Sequence, residues 1–276
     1  MVGVDGSPCS DAAVEWAATY AAMTDRPLVV ASATGRPGPS DVLGGPSPAR
    51  QRRRMAARRV TDHALTLITR VSRRLQVDET TPMLDARDML LSLSEQASMV
   101  VVGTRGHGAV TSLLLGSVSA AVVSHAHSPV AVVRRVEDRG EKVLVGVSGD
   151  GSDRAAIELA AELASALRRP LSLVHAWSTG DAFIGHGSAA QLSELRSVHK
   201  RVVAETAAGL VEKYPDVAIE TDLVDATPAR ALVDASTTSD LVVVGSRGKA
   251  GVGAYLGSVS RWVVEHAHST VVVVRG

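Results

Sequence analysis

Two short glycine-bearing segments hold the residue types in this sequence that could bind a ligand. The first, Val2-Gly3-Val4-Asp5-Gly6-Ser7, ends an apolar run with a carboxylate and two small residues. Asp5 in such a place is available to sugar hydroxyls or to a metal ion. The second runs Gly103-x-Arg105-Gly106, then nine residues, then Gly116-Ser117-Val118-Ser119. Glycines there let the backbone approach a ligand closely and adopt positive φ. Gly-Ser-x-Ser reads as the start of a helix, whose unspent N–H groups and hydroxyls suit an anion such as a phosphate. Tight turns after buried strands use glycine too, so either loop alone is a weak signal. Both together, in order and at neighbouring strand ends, make a stronger one.

Competing chemistries find less support. The P-loop pattern G-x-x-x-x-G-K-[ST] is absent, because Gly248-Lys249 is followed by Ala250, which has no metal-binding hydroxyl. No nucleophile–base pair, paired carboxylates or metal centre assembles in the sequence. His125-x-His127 and His266-x-His268 fall at predicted helix ends just before apolar runs. Imidazoles there meet the helix C-terminal dipole, so capping is preferred to metal binding. Cys9 is the single cysteine, which rules out an intramolecular disulfide and fits a reducing cytoplasm. It lies at the start of the first predicted helix and has no counterpart in the second half, so a redox role is not assigned.

The elements that must position these loops come from an internal repeat. Val2-Gly3-Val4 recurs as Val145-Gly146-Val147, and Val102-Gly103-Thr104-Arg105-Gly106 as Val244-Gly245-Ser246-Arg247-Gly248. His125-Ala126-His127-Ser128 recurs as His266-Ala267-His268-Ser269. Each copy has the size of an ordinary domain, with the boundary in the charged stretch 134–142, giving domains 1–138 and 139–276. Val-rich runs at 100–102, 130–133, 143–147, 242–244 and 271–274 are apolar on both faces, as buried parallel strands are. Amphipathic stretches such as 11–23 and 152–167 lie between them, with Asp85 and Thr227 as expected N-caps. This alternation predicts α/β architecture: two tandem doubly wound, Rossmann-like domains, each with a five-stranded parallel sheet. Such sheets bind ligands beyond the strands' carboxyl ends, where strand order reverses.

With Asp5 after the first strand and G-x2-G-x9-G-S after the fourth, the chain resembles the universal stress protein family, nearly throughout and twice over. It is similar to the tandem members common in actinobacteria. The resemblance implies ATP, with Mg2+, as cofactor. Gly103, Arg105, Gly106, Gly116, Ser117, Val118 and Ser119 would surround ribose and phosphates, Gly3, Ala33 and Val102 would line the adenine, and Val4 and Asp5 would complete the site. The counterparts in copy two are Gly146, Ala176, Val244, Gly245, Arg247, Gly248, Gly257, Ser258, Val259 and Ser260. That copy departs from the pattern. Eight residues, not nine, separate Gly248 from Gly257, and Ser148 takes the place of Asp5, with Asp150 two residues on. A weakened or altered second site is therefore expected.

The family further implies a nucleotide-dependent regulator of stress response and growth, with at most weak ATP hydrolysis. Slow ATPase action, cyclic AMP as ligand and a scaffold with degenerate sites are the alternatives. It also implies pairing through the last strand: the two copies as an internal pseudo-dimer, two chains as a homodimer, and an unidentified protein partner.

Bulk properties agree with an ordinary globular chain. Of 276 residues, 45% are apolar and 3% aromatic, so cores must be built from Val, Leu, Ile and Ala. With 29 basic and 29 acidic residues, no global pull toward nucleic acid exists. No leader is evident, and no apolar run approaches the roughly 18 residues of a membrane span, so a cytoplasmic protein without membrane contact is expected. One local exception stands out. Residues 50–74 carry nine arginines against one acid, Asp62, after a Pro/Gly-rich loop at 36–48. A solvated helix face is the plain reading, and a docking patch for an acidic partner, membrane or nucleic acid the sharper one.

Overall fold

A computed structural model describes residues 1–36, 38, 48–106, 115–134, 140–178, 189–246 and 256–275. The chain divides into two compact units, Met1–Arg135 and Val136–Gly276. The expected boundary at 138/139 lies outside the described residues.

In the first unit the elements are β1 (Val2–Gly3), α1 (Pro8–Met23), β2 (Leu28–Ala31), α2 (Pro48–Val71), β3 (Val77–Thr80), α3 (Ala86–Ser94), β4 (Val100–Gly103), α4 (Ser117–His125) and β5 (Val130–Val133). All strand pairs are parallel, in the order β3-β2-β1-β4-β5. β1 therefore has β2 on one side and β4 on the other, which is where the winding reverses. The second unit repeats this with β6 (Val143–Gly146), α5 (Arg154–Leu167), β7 (Leu171–Trp177), α6 (Ala189–Lys213), β8 (Ile219–Asp225), α7 (Pro228–Ala235), β9 (Leu241–Gly245), α8 (Ser258–His266) and β10 (Thr270–Val274). Its strand order is β8-β7-β6-β9-β10, again all parallel.

The Val-rich runs form buried strands. β4, β5 and β10 are buried along their whole length. With few aromatics available, helices close on them through small residues, such as Ala13, Ala17 and Ala18 of α1 and Ala160, Ala161 and Ala164 of α5. β3 and β8 are largely exposed and carry Asp78, Glu79, Glu220 and Asp222, as charged edge strands do.

Helix starts differ in part from the expectation. α1 begins at Pro8, three residues before 11, because Ser7 is the N-cap and its hydroxyl accepts from Ser10 N. Asp85 caps α3 as expected, accepting from Arg87 N at 3.0 Å. Thr227 occupies the cap of α7 with extended backbone, but its side chain makes no capping bond. The helix expected at 152–167 begins at Arg154, after Gly151 turns the chain at φ +79°.

Candidate functional site

The first unit opens a cleft of about 390 Å3 over its switch point, within the size range of small-molecule sites. All twelve positions marked in copy one line it: Gly3, Val4, Asp5, Ala33, Val102, Gly103, Arg105, Gly106, Gly116, Ser117, Val118 and Ser119. They converge because β1, β2 and β4 end side by side at the same edge of the sheet. Sequence reasoning missed Ser10, Ala86, Met89 and Leu90, which complete the lining from α1 and α3.

Hydrogen bonds hold the loops in this arrangement. Asp5 Oδ1 accepts from Ser7 N at 3.0 Å, which turns the chain into α1. Ser7 Oγ lies 3.3 Å from the Arg105 carbonyl it donates to, tying the first loop to the glycine loop. Gly116 N donates to Thr104 O at 2.7 Å, and Ser119 Oγ to Gly103 O at 2.7 Å. Together these clamp the start of α4 against the end of β4. The N-cap of α4 is Gly116, with no capping side chain. Its first-turn N–H groups, which line the cleft, have no acceptor among the described residues, an arrangement suited to an anion.

Close approach sets the glycine positions, most firmly at Gly103, where the neighbour is backbone. A Cβ on Gly106 would run into the Asp5 carboxylate. A Cβ on Gly103 would lie 2.6 Å from Cys9 O, and one on Gly3 would lie 2.9 Å from Leu90 Cδ2. Cys9 thus packs behind the glycine loop, with Thr104 Oγ1 3.7 Å from its sulfur. Positive charge gathers at the same edge. Burial holds the Arg134 guanidinium, just after β5, below its usual range, and the charge of Arg105 adds to the effect. An anion beside this pair would relieve their repulsion.

The second unit keeps the frame and changes the site. Gly146, Val244 and Gly245 lie at the ends of β6 and β9, and Gly257 caps α8, whose first turn contains Ser258, Val259 and Ser260. Gly257 N donates to Ser246 O at 2.8 Å, and Ser260 Oγ donates to Gly245 O, the same clamp as in the first unit. Arg247 and Gly248 lie outside the described residues. Ser148 N donates to the Asp153 carboxylate, and Ser148 Oγ to Asp150 Oδ1 at 2.6 Å. Asp150 Oδ1 also accepts from Ser152 N and Oγ, at 3.0 and 2.6 Å. Asp150 closes its turn as Asp5 does through Ser7 N, but its Oδ1 also takes two serine hydroxyls.

The larger change lies on the β7 side. Ala33 sits beyond the last residue of β2, whereas Ala176 is inside β7, paired with Val224. Its neighbours His175 and Trp177 both meet His199 of α6. His175 Nδ1 lies 2.6 Å from Val147 O and Nε2 lies 2.8 Å from His199 Nδ1, and the Trp177 and His199 rings are 5.5 Å apart. A carbonyl only accepts, so Nδ1 of His175 donates to Val147 and Nε2 of a neutral His175 accepts from His199.

The histidine pairs behave as helix ends. His125 Nδ1 is 3.0 Å from Ala121 O and His266 Nδ1 is 2.9 Å from Trp262 O, each the carbonyl four residues back. His127 turns toward Ser94 instead, with Nδ1 3.4 Å from Oγ. Among the described residues, no three His, Cys, Asp or Glu side chains group as metal ligands, and no helix is long and apolar enough to cross a membrane.

Two doubly wound parallel sheets, each with a glycine-bounded helix start at its switch point, define a duplicated Rossmann-like α/β protein with a formed cleft in its first half. The Universal stress protein family matches residues 1–134 and again 140–275. Universal stress protein Rv2623 of Mycobacterium tuberculosis is 35% identical over 286 residues, covering 100% of this chain and 95% of the relative. Universal stress protein Rv2005c of the same species is 36% identical over 289 residues, covering 100% and 96%. The crystal structure of a universal stress protein from Archaeoglobus fulgidus superposes with a TM-score of 0.69 at 20% identity, covering 100% of this chain and 95% of that one. The chain belongs to the universal stress protein family and carries two domains of it in tandem.

Proposed function

We propose that the first unit is a receptor for ATP and that the chain is a nucleotide-dependent regulator of stress response and growth, not a fast catalyst. One observation carries this reading: a single cleft combines an apolar lining, an uncapped helix start and a carboxylate pressed against glycine. Gly3, Met89, Leu90 and Val102 suit a flat base, Asp5 the ribose hydroxyls, and Gly116 to Ser119 with Arg105 the phosphates. Mg2+ fits as an ion carried by the phosphates, with Asp5 as its one nearby carboxylate. Tight binding with little extra stabilisation of a transition state makes a sensor. The reading places the protein in the cytoplasm and includes self-association of the chain, which light scattering would register.

The deciding experiment denatures the purified protein, identifies the released nucleotide by mass spectrometry and counts it per chain. ATP near one per chain is expected, with a thermal midpoint raised by added ATP through mass action. Cyclic AMP in its place would change the ligand. Repeated metal-dependent turnover that ends with Asp5→Ala would make the protein an ATPase. No released nucleotide and an unmoved midpoint with ATP would overturn the proposal.

A further inference from the structure

We propose that a groove between α2 and β3 in the first unit binds an extended acidic peptide segment of a partner protein. The groove measures about 770 Å3. One wall presents Arg50, Arg54 and Arg58, spaced four residues apart and so on one face of α2. All three are exposed, and Arg54 and Arg58 have no ion-pair partner among the described residues. Glu79 of the edge strand β3 and Thr81, the residue just beyond it, line the other side. Three guanidiniums thus face one carboxylate, in a chain whose total charge is zero.

The concentration is specific to this helix. α2 carries seven basic residues and one acid, whereas α6, its counterpart in the second unit, carries four and three. A helix that needed only a solvated face would be served by the mixed pattern of α6. Arginine forks favour planar carboxylates, which they hold bidentately. The three arginines rise about 6 Å per step along the helix axis. An extended peptide presents every second side chain on one face at intervals of about 6.7 Å. Acidic residues at alternate positions therefore fall in register with Arg50, Arg54 and Arg58, while the half-exposed Met55 offers apolar contact between them.

Other polyanions fit less well. Single-stranded nucleic acid binds on aromatic platforms, and the chain has no Phe, Trp or Tyr between Tyr20 and Trp177. A bilayer surface is broad and flat, and cannot enter a groove whose far wall carries Glu79.

The test measures fluorescence anisotropy of a labelled dodecapeptide alternating glutamate and serine, titrated with the full chain. Arg54→Glu/Arg58→Glu is compared with Arg73→Glu/Arg74→Glu, the same charge change at exposed positions outside the groove. Arg54→Gln/Arg58→Gln removes charge without reversing it, and circular dichroism checks that each variant is folded. The groove variants are expected to weaken binding about tenfold or more and the outside variant by less than about twofold, a difference of roughly 1 kcal/mol in binding. Binding is also expected to fall with added salt. Equal losses in the two glutamate variants would overturn the proposal. So would failure of the peptide to bind at low salt, or tighter binding of an oligothymidylate of the same length or of phosphatidylserine vesicles.

Discussion

Asp5 and Ser148 stand at the same place after the first strand of their units, yet the loops around them have opposite tasks. In the first unit the carboxylate lies against Gly106 and, together with Ser7, ties two loops into one wall. In the second unit Ser148 is a donor, and the nearby carboxylates of Asp150 and Asp153 are engaged by their own loop. The adjacent strand differs in step. β2 stops at Ala31, after which Thr34 N donates to Pro82 O at 3.1 Å. Pro82 has no N–H with which to continue a ladder. β7 has no such stop and pairs with β8 through Trp177. The added rungs carry His175 and Trp177, which meet His199 of α6 on the face of the sheet opposite Ala176. One frame thus carries a carboxylate-walled cleft in the first copy and, in the second, a longer strand β7 whose His175 and Trp177 pack on α6. The difference arises in the loops and strand ends, not in the cores.

The strongest way to break this comparison is to fill the first cleft from behind. Gly103→Val would place its Cβ 2.6 Å from the backbone oxygen of Cys9, and a helix backbone cannot swing aside as a side chain can. Such overpacking is expected to destabilise the first unit by about 3 kcal/mol. Guanidinium unfolding followed by Trp16 fluorescence measures it, since Trp16 lies in α1 of that unit. An unchanged midpoint would mean that the close approach of β4 to α1 is not what fixes the cleft.

A second change addresses the carboxylate directly. Asp5→Asn is expected to weaken ATP binding about tenfold, close to 1.4 kcal/mol. Ser148→Asp in the otherwise unchanged chain is expected to leave the nucleotide count near one, because the glycine loop, with eight residues between Gly248 and Gly257, remains short. Calorimetric titration of both variants separates the causes. A count rising to two in Ser148→Asp would show that the missing carboxylate alone distinguishes the copies, and would remove the shortened glycine loop from the account.

Residues of the first site were legible in the sequence to the extent that their signals were local. Gly103, Gly106, Gly116 and Ser117 reveal themselves by type and spacing, and Asp5 by following a strand of apolar residues. Met89 and Leu90 are invisible by the same means, since apolar residues on a helix read as ordinary core whether or not they face a ligand. The fold was legible because a doubly wound sheet buries both faces of its strands, leaving uninterrupted Val runs. The second site was half legible. Its lost carboxylate and shortened loop are visible in one line of text, but the meeting of His175 with His199 joins residues 24 apart through tertiary packing. Asp150 stands two residues beyond the place of Asp5, and its added bonds from the Ser148 and Ser152 hydroxyls are set by tertiary geometry that the sequence does not display.

The smallest effect sharpens the comparison at a place remote from ligand. Asp85 and Thr227 occupy equivalent caps before α3 and α7, both in extended backbone. Only Asp85 spends its side chain on the helix, accepting from Arg87 N at 3.0 Å. In α7 the work of starting the helix falls to Pro228, whose fixed φ suits the first turn and whose missing N–H leaves one fewer donor to satisfy. Asp85→Ala is therefore expected to cost about 1 kcal/mol and Thr227→Ala only a few tenths. Thermal unfolding of the two single variants measures the difference. Equal losses would mean that the Thr227 hydroxyl caps α7 in solution after all. The asymmetry between the copies would then be confined to the edge where β1, β2 and β4 end, and would not extend to the helix starts around it.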